Sequence, residues 1–100
     1  MSELNYEAIG RCKVLGEKIK QLHMERMRAI ADLRTAVCEL HQKGSINKTP
    51  PEIVEFDPHA LAELVESIGR HDSNLMRAVN EYNNWCSDAG EKPVKLIKLD

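Results

Sequence analysis

The sequence predicts an all-α fold, a long helical hairpin in which two antiparallel helices face each other across a proline-containing linker. Two stretches of the chain carry apolar positions at alternating steps of three and four residues, which places those positions on one face of a helix. Aromatic residues make up only 4% of the chain, so the core must consist mainly of aliphatic side chains, alanine and methionine. Because each apolar stripe needs a partner, we expect the two helices to pack on each other.

The first stripe predicts a helix over about residues 3–42. Ser2 is its expected N-cap, and Lys43 supplies a cation in the last turn. Gly44 follows as a residue that is free to take the left-handed conformation at the end of a helix. The stripe consists of Cys12, Leu15, Ile19, Leu22, Arg26, Ala29, Leu33, Ala36 and Leu40.

Residues 43–57 form the predicted linker. The consecutive prolines Pro50 and Pro51 are incompatible with a helix and favour extended backbone. The segment Ile53–Phe56 after them has the composition of a short strand or an extended arm. Its apolar side chains are too many for a passive tether.

The second helix is predicted over about residues 58–88, with Asp57 as N-cap and Pro58 in the first helical position. Gly69 is a weak point where the helix either continues, with or without a kink, or divides into two shorter helices. The second stripe consists of Leu61, Leu64, Ile68, His71, Leu75, Ala78, Tyr82 and Trp85.

The chain from residue 90 to 100 forms a predicted C-terminal arm, because Gly90 ends the second helix and Pro93 prevents it from resuming. Its apolar side chains favour a strand or an extended arm that docks on a partner, and a frayed terminus is the alternative. Residues 1–100 are expected to form one domain.

A lone two-helix hairpin buries each stripe on one side only, so we expect further burial against another chain. The first helix supports this expectation, because apolar residues beside its stripe widen it beyond what one partner helix covers. We therefore predict a homodimer or a protein-docking surface. The candidate partner-binding residues are Met27, Ile30, Val37, Ile53, Phe56, Leu96, Ile97 and Leu99.

The two halves of the chain differ in charge. Residues 1–43 hold eight Lys and Arg against six Asp and Glu, whereas residues 44–89 hold three against eight, so the second arm is acidic. Packing of a mildly basic helix on an acidic one explains this asymmetry, and mimicry of nucleic-acid charge is the alternative. Direct binding to DNA or RNA is not expected, because no basic patch with interleaved aromatic residues is present.

Cysteine usage predicts a reducing compartment. The cysteines are three in number and widely spaced, and each lies on or beside a helical stripe, where a thiol acts as a small buried apolar group. The first residues do not resemble a signal peptide, and no stretch resembles a membrane span. We therefore expect a cytoplasmic protein with no membrane contact.

No residue pattern predicts an enzyme, a cofactor or a resident metal. Cys38, His41 and His59 would supply zinc ligands only if the linker brought them together, and no close-spaced cysteine pair supports such a site. His71 and Asp72 are adjacent on a helix and point about 100° apart, which does not suit a catalytic pair. A contact between Asp72 and Arg26 across the hairpin is predicted instead.

Two functions follow as hypotheses. The leading one is a small non-enzymatic protein-binding module or adaptor that self-associates through the first helix and offers the linker and the C-terminal arm as docking segments. The alternative is an inhibitor or regulator of a host nucleic-acid enzyme or transcription complex, of the kind that phages and plasmids encode, acting through the acidic second arm. A metal-linked sensor is a more distant third hypothesis.

Overall fold

The computed structural model describes residues 5–99, and in them two long helices pack as a hairpin. Helix α1 spans Tyr6–Lys43 and helix α2 spans Pro58–Ala89. The predicted all-α hairpin is confirmed. Every position of both predicted stripes is buried or half-buried, as the periodicity requires.

Asn5 caps the start of α1. Its side-chain oxygen accepts a hydrogen bond from the backbone N–H of Ala8 at 3.1 Å, and its carbonyl accepts one from Ile9 at 3.0 Å. The predicted cap Ser2 and the predicted start near residue 3 lie outside the described residues. In the described part of the chain, Asn5 satisfies the first free N–H groups of the helix.

The linker is closed by a pair of backbone hydrogen bonds between Ser45 and Glu52, at 2.9 and 3.0 Å. Beyond this isolated bridge, residues 5–99 contain no strand, so the strand suggested for Ile53–Phe56 does not form. A single segment has no neighbouring strand to complete its ladder of hydrogen bonds. Gly44 follows the end of α1 without taking the left-handed conformation that is open to a glycine, because only Gly90 has a positive φ among the described residues.

Helix α2 begins and ends as its sequence signals predict. The Asp57 carboxylate accepts a hydrogen bond from the N–H of Ala60 at 3.1 Å, and the helix continues through Gly69 without interruption. At the other end Gly90 takes a φ of 73°, and the N–H of Glu91 reaches the carbonyl of Cys86 at 2.8 Å. This closing arrangement satisfies the last carbonyls of the helix.

The chain forms two compact units. The core unit contains the residues up to Met24 and those from Ser73 onward, and the tip unit contains Glu25–Asp72. Apart from Ala29, the buried apolar side chains of the described chain all belong to the core unit. They are Ala8, Cys12, Leu15, Leu75, Ala78, Val79 and Cys86.

The tip unit pairs the second part of α1 with the first part of α2 through the linker. Ala29 is its only buried apolar residue among those described, and its other seam positions are half-buried. The tip unit is therefore a helical pair whose apolar surface is incompletely covered.

Candidate protein-binding surfaces

The residues predicted to bind a partner are all exposed. Ile53, Ile97 and Leu99 are 85%, 77% and 95% exposed, and the others, Met27, Ile30, Val37, Phe56 and Leu96, are also exposed. Contiguous exposed apolar patches are typical of interaction surfaces, whereas apolar side chains exposed singly are common on any protein. Their role in binding stays a prediction.

One side of the tip unit carries several exposed apolar side chains, and we call this side the flank surface. On α1 its members Met27, Ile30 and Val37 each come one residue after a position of the stripe. On α2 the corresponding positions are Ala62, Val65 and Gly69. A residue that follows a stripe position is rotated by about 100° around the helix axis, away from the seam between the two helices.

The two halves of the flank surface lie on the same side of the hairpin. When two antiparallel helices face each other, a rotation in the same sense away from both seams leads to the same side of the pair. The opposite rotation leads to the other side, where Glu39 and Ala60, each one residue before a stripe position, line one groove. The fact that Glu39 and Ala60 line the same groove therefore supports the assignment of the two sides of the hairpin.

This groove, the tip groove, lies where the linker joins both helices. It has a volume of about 330 Å³, and its apolar lining includes Leu40, Val54, Phe56 and Leu61. Phe56 is thus the one predicted binding residue of the linker that shares a cavity with both helices, whereas Ile53 does not line it. The structure separates Phe56 from the flank-surface residues, which lie on the other side of the tip unit.

A charged contact interrupts the apolar seam of the tip unit. Arg26 Nη1 donates a hydrogen bond to Asp72 Oδ1 at 2.7 Å, which confirms the predicted contact. The Arg26 side chain is 26% exposed, and its Nε is buried without a hydrogen-bond partner among the described residues. On the neighbouring turn, His71 Nδ1 lies 4.0 Å from Glu25 Oε2. These pairs fix which turns of the two helices lie opposite each other.

The C-terminal arm is held by one side chain of α2. The Val94 N–H donates a hydrogen bond to Asn83 Oδ1 at 2.8 Å, and Asn83 Nδ2 donates one to the Val94 carbonyl at 3.3 Å. The amide side chain therefore pairs with both backbone groups of one residue, as a neighbouring strand would. Leu96, Ile97 and Leu99 follow this anchor and are exposed.

The core unit contains two buried thiols. Burial, with the nearby Cys86 and Glu91, raises the pKa of the Cys12 thiol above its usual value. Burial, with Glu91 and both thiols, also raises the pKa of the Tyr82 phenol. Both groups stay protonated at neutral pH, so this cluster has the character of a packed core and not of a reactive cysteine site.

The structure does not assemble the zinc ligands considered above. Among residues 5–99 no three His, Cys, Asp or Glu side chains come together where they would hold a metal ion. His59 instead lies 3.1 Å from Glu63, one turn further along α2. In the same range, neither helix is long and apolar enough to cross a membrane.

Comparisons with known proteins give no family for this chain. It matches no protein-family model, and searches of curated proteins and of solved structures return no similar protein. Its function must therefore be argued from its own surfaces.

Two contributors to these surfaces were missed by sequence reasoning. Val65 belongs to the flank surface, and its signal was its place one residue after Leu64, the same offset that marks Ile30 on α1. Asn83 anchors the arm, and the sequence carried no signal for it, because an asparagine on a helix has many possible partners.

Proposed function

We propose that this protein is a non-enzymatic protein-binding module whose main binding site is the flank surface of the tip unit. The linker and the C-terminal arm act as accessory docking segments. The observation that carries the proposal is the uneven burial of the two units. The core unit buries apolar side chains from both helices, whereas Ala29 alone among the described residues is fully buried in the tip unit.

Four exposed apolar side chains on the two helices of the tip unit share one face. Met27, Ile30, Val37 and Val65 are all exposed, and each lies one residue beyond the seam on the same side of the pair. An apolar strip on a helical pair is complementary to the apolar face of another helix. Covering it would give the tip unit the burial that the core unit already has.

Site-specific photo-crosslinking in cells that express the protein tests this proposal. A photoreactive amino acid is placed at Val37, on the flank surface, and in a matched variant at Arg28, an exposed position on another face of α1. We expect a discrete protein adduct from position 37 and none, or a much weaker one, from position 28. The adduct is identified by mass spectrometry.

The identity of the adduct separates the hypotheses. An adduct with another copy of the chain or with a single other protein supports a binding role for the flank surface. A polymerase, helicase or nuclease in that adduct would favour the inhibitor hypothesis for the same surface. Equal labelling from both positions, or no adduct from position 37, would contradict the proposal.

A further inference from the structure

We propose that the flank surface binds a second copy of this chain, in a two-fold symmetric dimer in which α1 of each copy packs antiparallel on α2 of the other. The inference rests on the proposed function, because it names the occupant of the surface to which a binding role has just been given. It concerns the tip unit, Glu25–Asp72, in which both halves of the surface lie.

The two sides of the flank surface carry opposite charges. On the α1 side, Arg34 lies between Ile30 and Val37, and on the α2 side Glu66 follows Val65 at the outer edge. Neither charged side chain has a hydrogen bond or ion pair within the described part of the chain. An occupant must therefore offer an acidic group to the α1 side and a basic group to the α2 side. A second copy of the chain offers both.

Symmetry limits how two copies can meet through this surface. Two stacked hairpins are related by a dyad that runs either across the helices or parallel to them. A dyad across the helices stacks α1 on α1 and α2 on α2, which brings like charges together. A dyad parallel to the helices stacks α1 on the α2 of the other copy, which places Arg34 beside Glu66 twice in the dimer. Since like charges across an interface are unfavourable, the parallel dyad is selected.

The register of the dimer follows from a contact within one chain. Arg26 and Asp72 lie level with each other, because they form an ion pair of 2.7 Å. Along the antiparallel helices, Arg34 is then level with Leu64. A dyad parallel to the helices leaves positions along the helix axis unchanged. Arg34 of one copy therefore lies within roughly 3 Å of Glu66 of the second copy, measured along that axis. Both side chains are long enough to close that gap.

The same register places large side chains over small ones. Met27 and Ile30 of one copy come to the height of Gly69 in the second copy, and Val37 comes to the height of Ala62. A Cβ at Gly69 would meet nothing within 4 Å in the single chain, so the space above this residue is open. Small residues of this kind let two helices approach closely. The resulting arrangement is an antiparallel four-helix bundle formed by two tip units.

A charge-swap series on the full-length chain tests the dimer. Sedimentation equilibrium is measured for the native protein, Arg34→Glu, Glu66→Arg and the double variant, with Arg28→Glu as the control for a charge change on another face of α1.

The native protein should show twice the chain mass of 11.4 kDa. Each single swap replaces two attractive contacts by two repulsive ones and should weaken dimerisation by about tenfold or more. The double variant should recover native affinity, and Arg28→Glu should keep it. Circular dichroism checks that all variants remain helical.

Each other outcome rejects part or all of the inference. A native dimer in which the double variant does not recover would overturn the α1-on-α2 arrangement. A native monomer at high micromolar concentration would overturn self-association altogether. In that case the crosslink from position 37 tests the proposed binding function independently of the dimer, because an adduct with a different protein would leave that function intact.

Discussion

At the scale of single residues, the buried Cys12 and the half-buried Tyr82 of the core unit are expected to make its stability depend on pH. Cys12 and Tyr82 keep their protons to a higher pH in the folded chain than in the unfolded chain, mainly because burial penalises their charged forms. Their contribution to stability is complete below the usual thiol and phenol pKa values. This contribution is lost as the pH rises from the usual pKa values through the raised pKa values of the folded chain.

We therefore expect the free energy of unfolding to fall between about pH 7.5 and about pH 11, and to fall less in Cys12→Ala and in Tyr82→Phe. Urea titrations at both pH values measure the decrease for each protein. Other groups that titrate in this range are present in every variant, and Cys12→Ala also removes the contribution of this thiol to the raised pKa of Tyr82. An identical decrease in the native protein and both variants would contradict the assignment.

The residue scale also shows how far the sequence could predict the sites. The contact between Arg26 and Asp72 was predictable, because a charged residue inside an apolar stripe needs a partner at the matching height on the other helix. The anchoring of Val94 by Asn83 was not, because it depends on the path of the chain after α2. Periodicity encodes which residues face the seam and contains no information on where a terminal segment returns.

At the scale of elements, capping chemistry determines where the helices begin and end. Asp57 and Gly90 have the roles that their types predict, whereas Gly44 lies close to another part of the backbone. A Cβ at Gly44 would lie 3.3 Å from the Glu52 carbonyl oxygen, closer than most Cβ contacts, so the linker favours a glycine there for its small size and not for its dihedral angles. Local signals alone do not distinguish these two uses of glycine.

The C-terminal arm depends on one amide side chain, which gives a prediction at this scale. Asn83→Ala removes both hydrogen bonds to Val94, and we expect it to lower the free energy of unfolding by about 1–2 kcal/mol relative to the control Asn84→Ala. The control makes the same change of helix propensity on the same helix. Urea denaturation measures the difference, and thermolysin should cleave the arm near Leu96 faster in Asn83→Ala. Equal stability and equal cleavage in the two variants would show that the anchor contributes nothing.

At the scale of the whole molecule, one chain combines a unit with a buried core and a unit without one. Both parts of each helix have the same backbone hydrogen bonds, so a difference in their stability must come from side-chain packing. Segments that bury apolar side chains open rarely, whereas helical segments with exposed apolar faces open more often. A binding surface that must accept a partner is expected in the less stable unit.

Hydrogen exchange measured on dilute protein tests this division. The amides of residues 75–79, in the core unit, should exchange at least about tenfold more slowly than those of residues 30–34, in the tip unit, after correction for intrinsic rates. Leu75, Ala78 and Val79 are almost fully buried, whereas Ile30 is exposed, and both segments lie well inside their helices. Because the two segments are compared within one sample, differences in solvent and temperature do not enter. Equal protection of the two segments would mean that the tip unit is stable without a partner, and the argument from its missing core would fail.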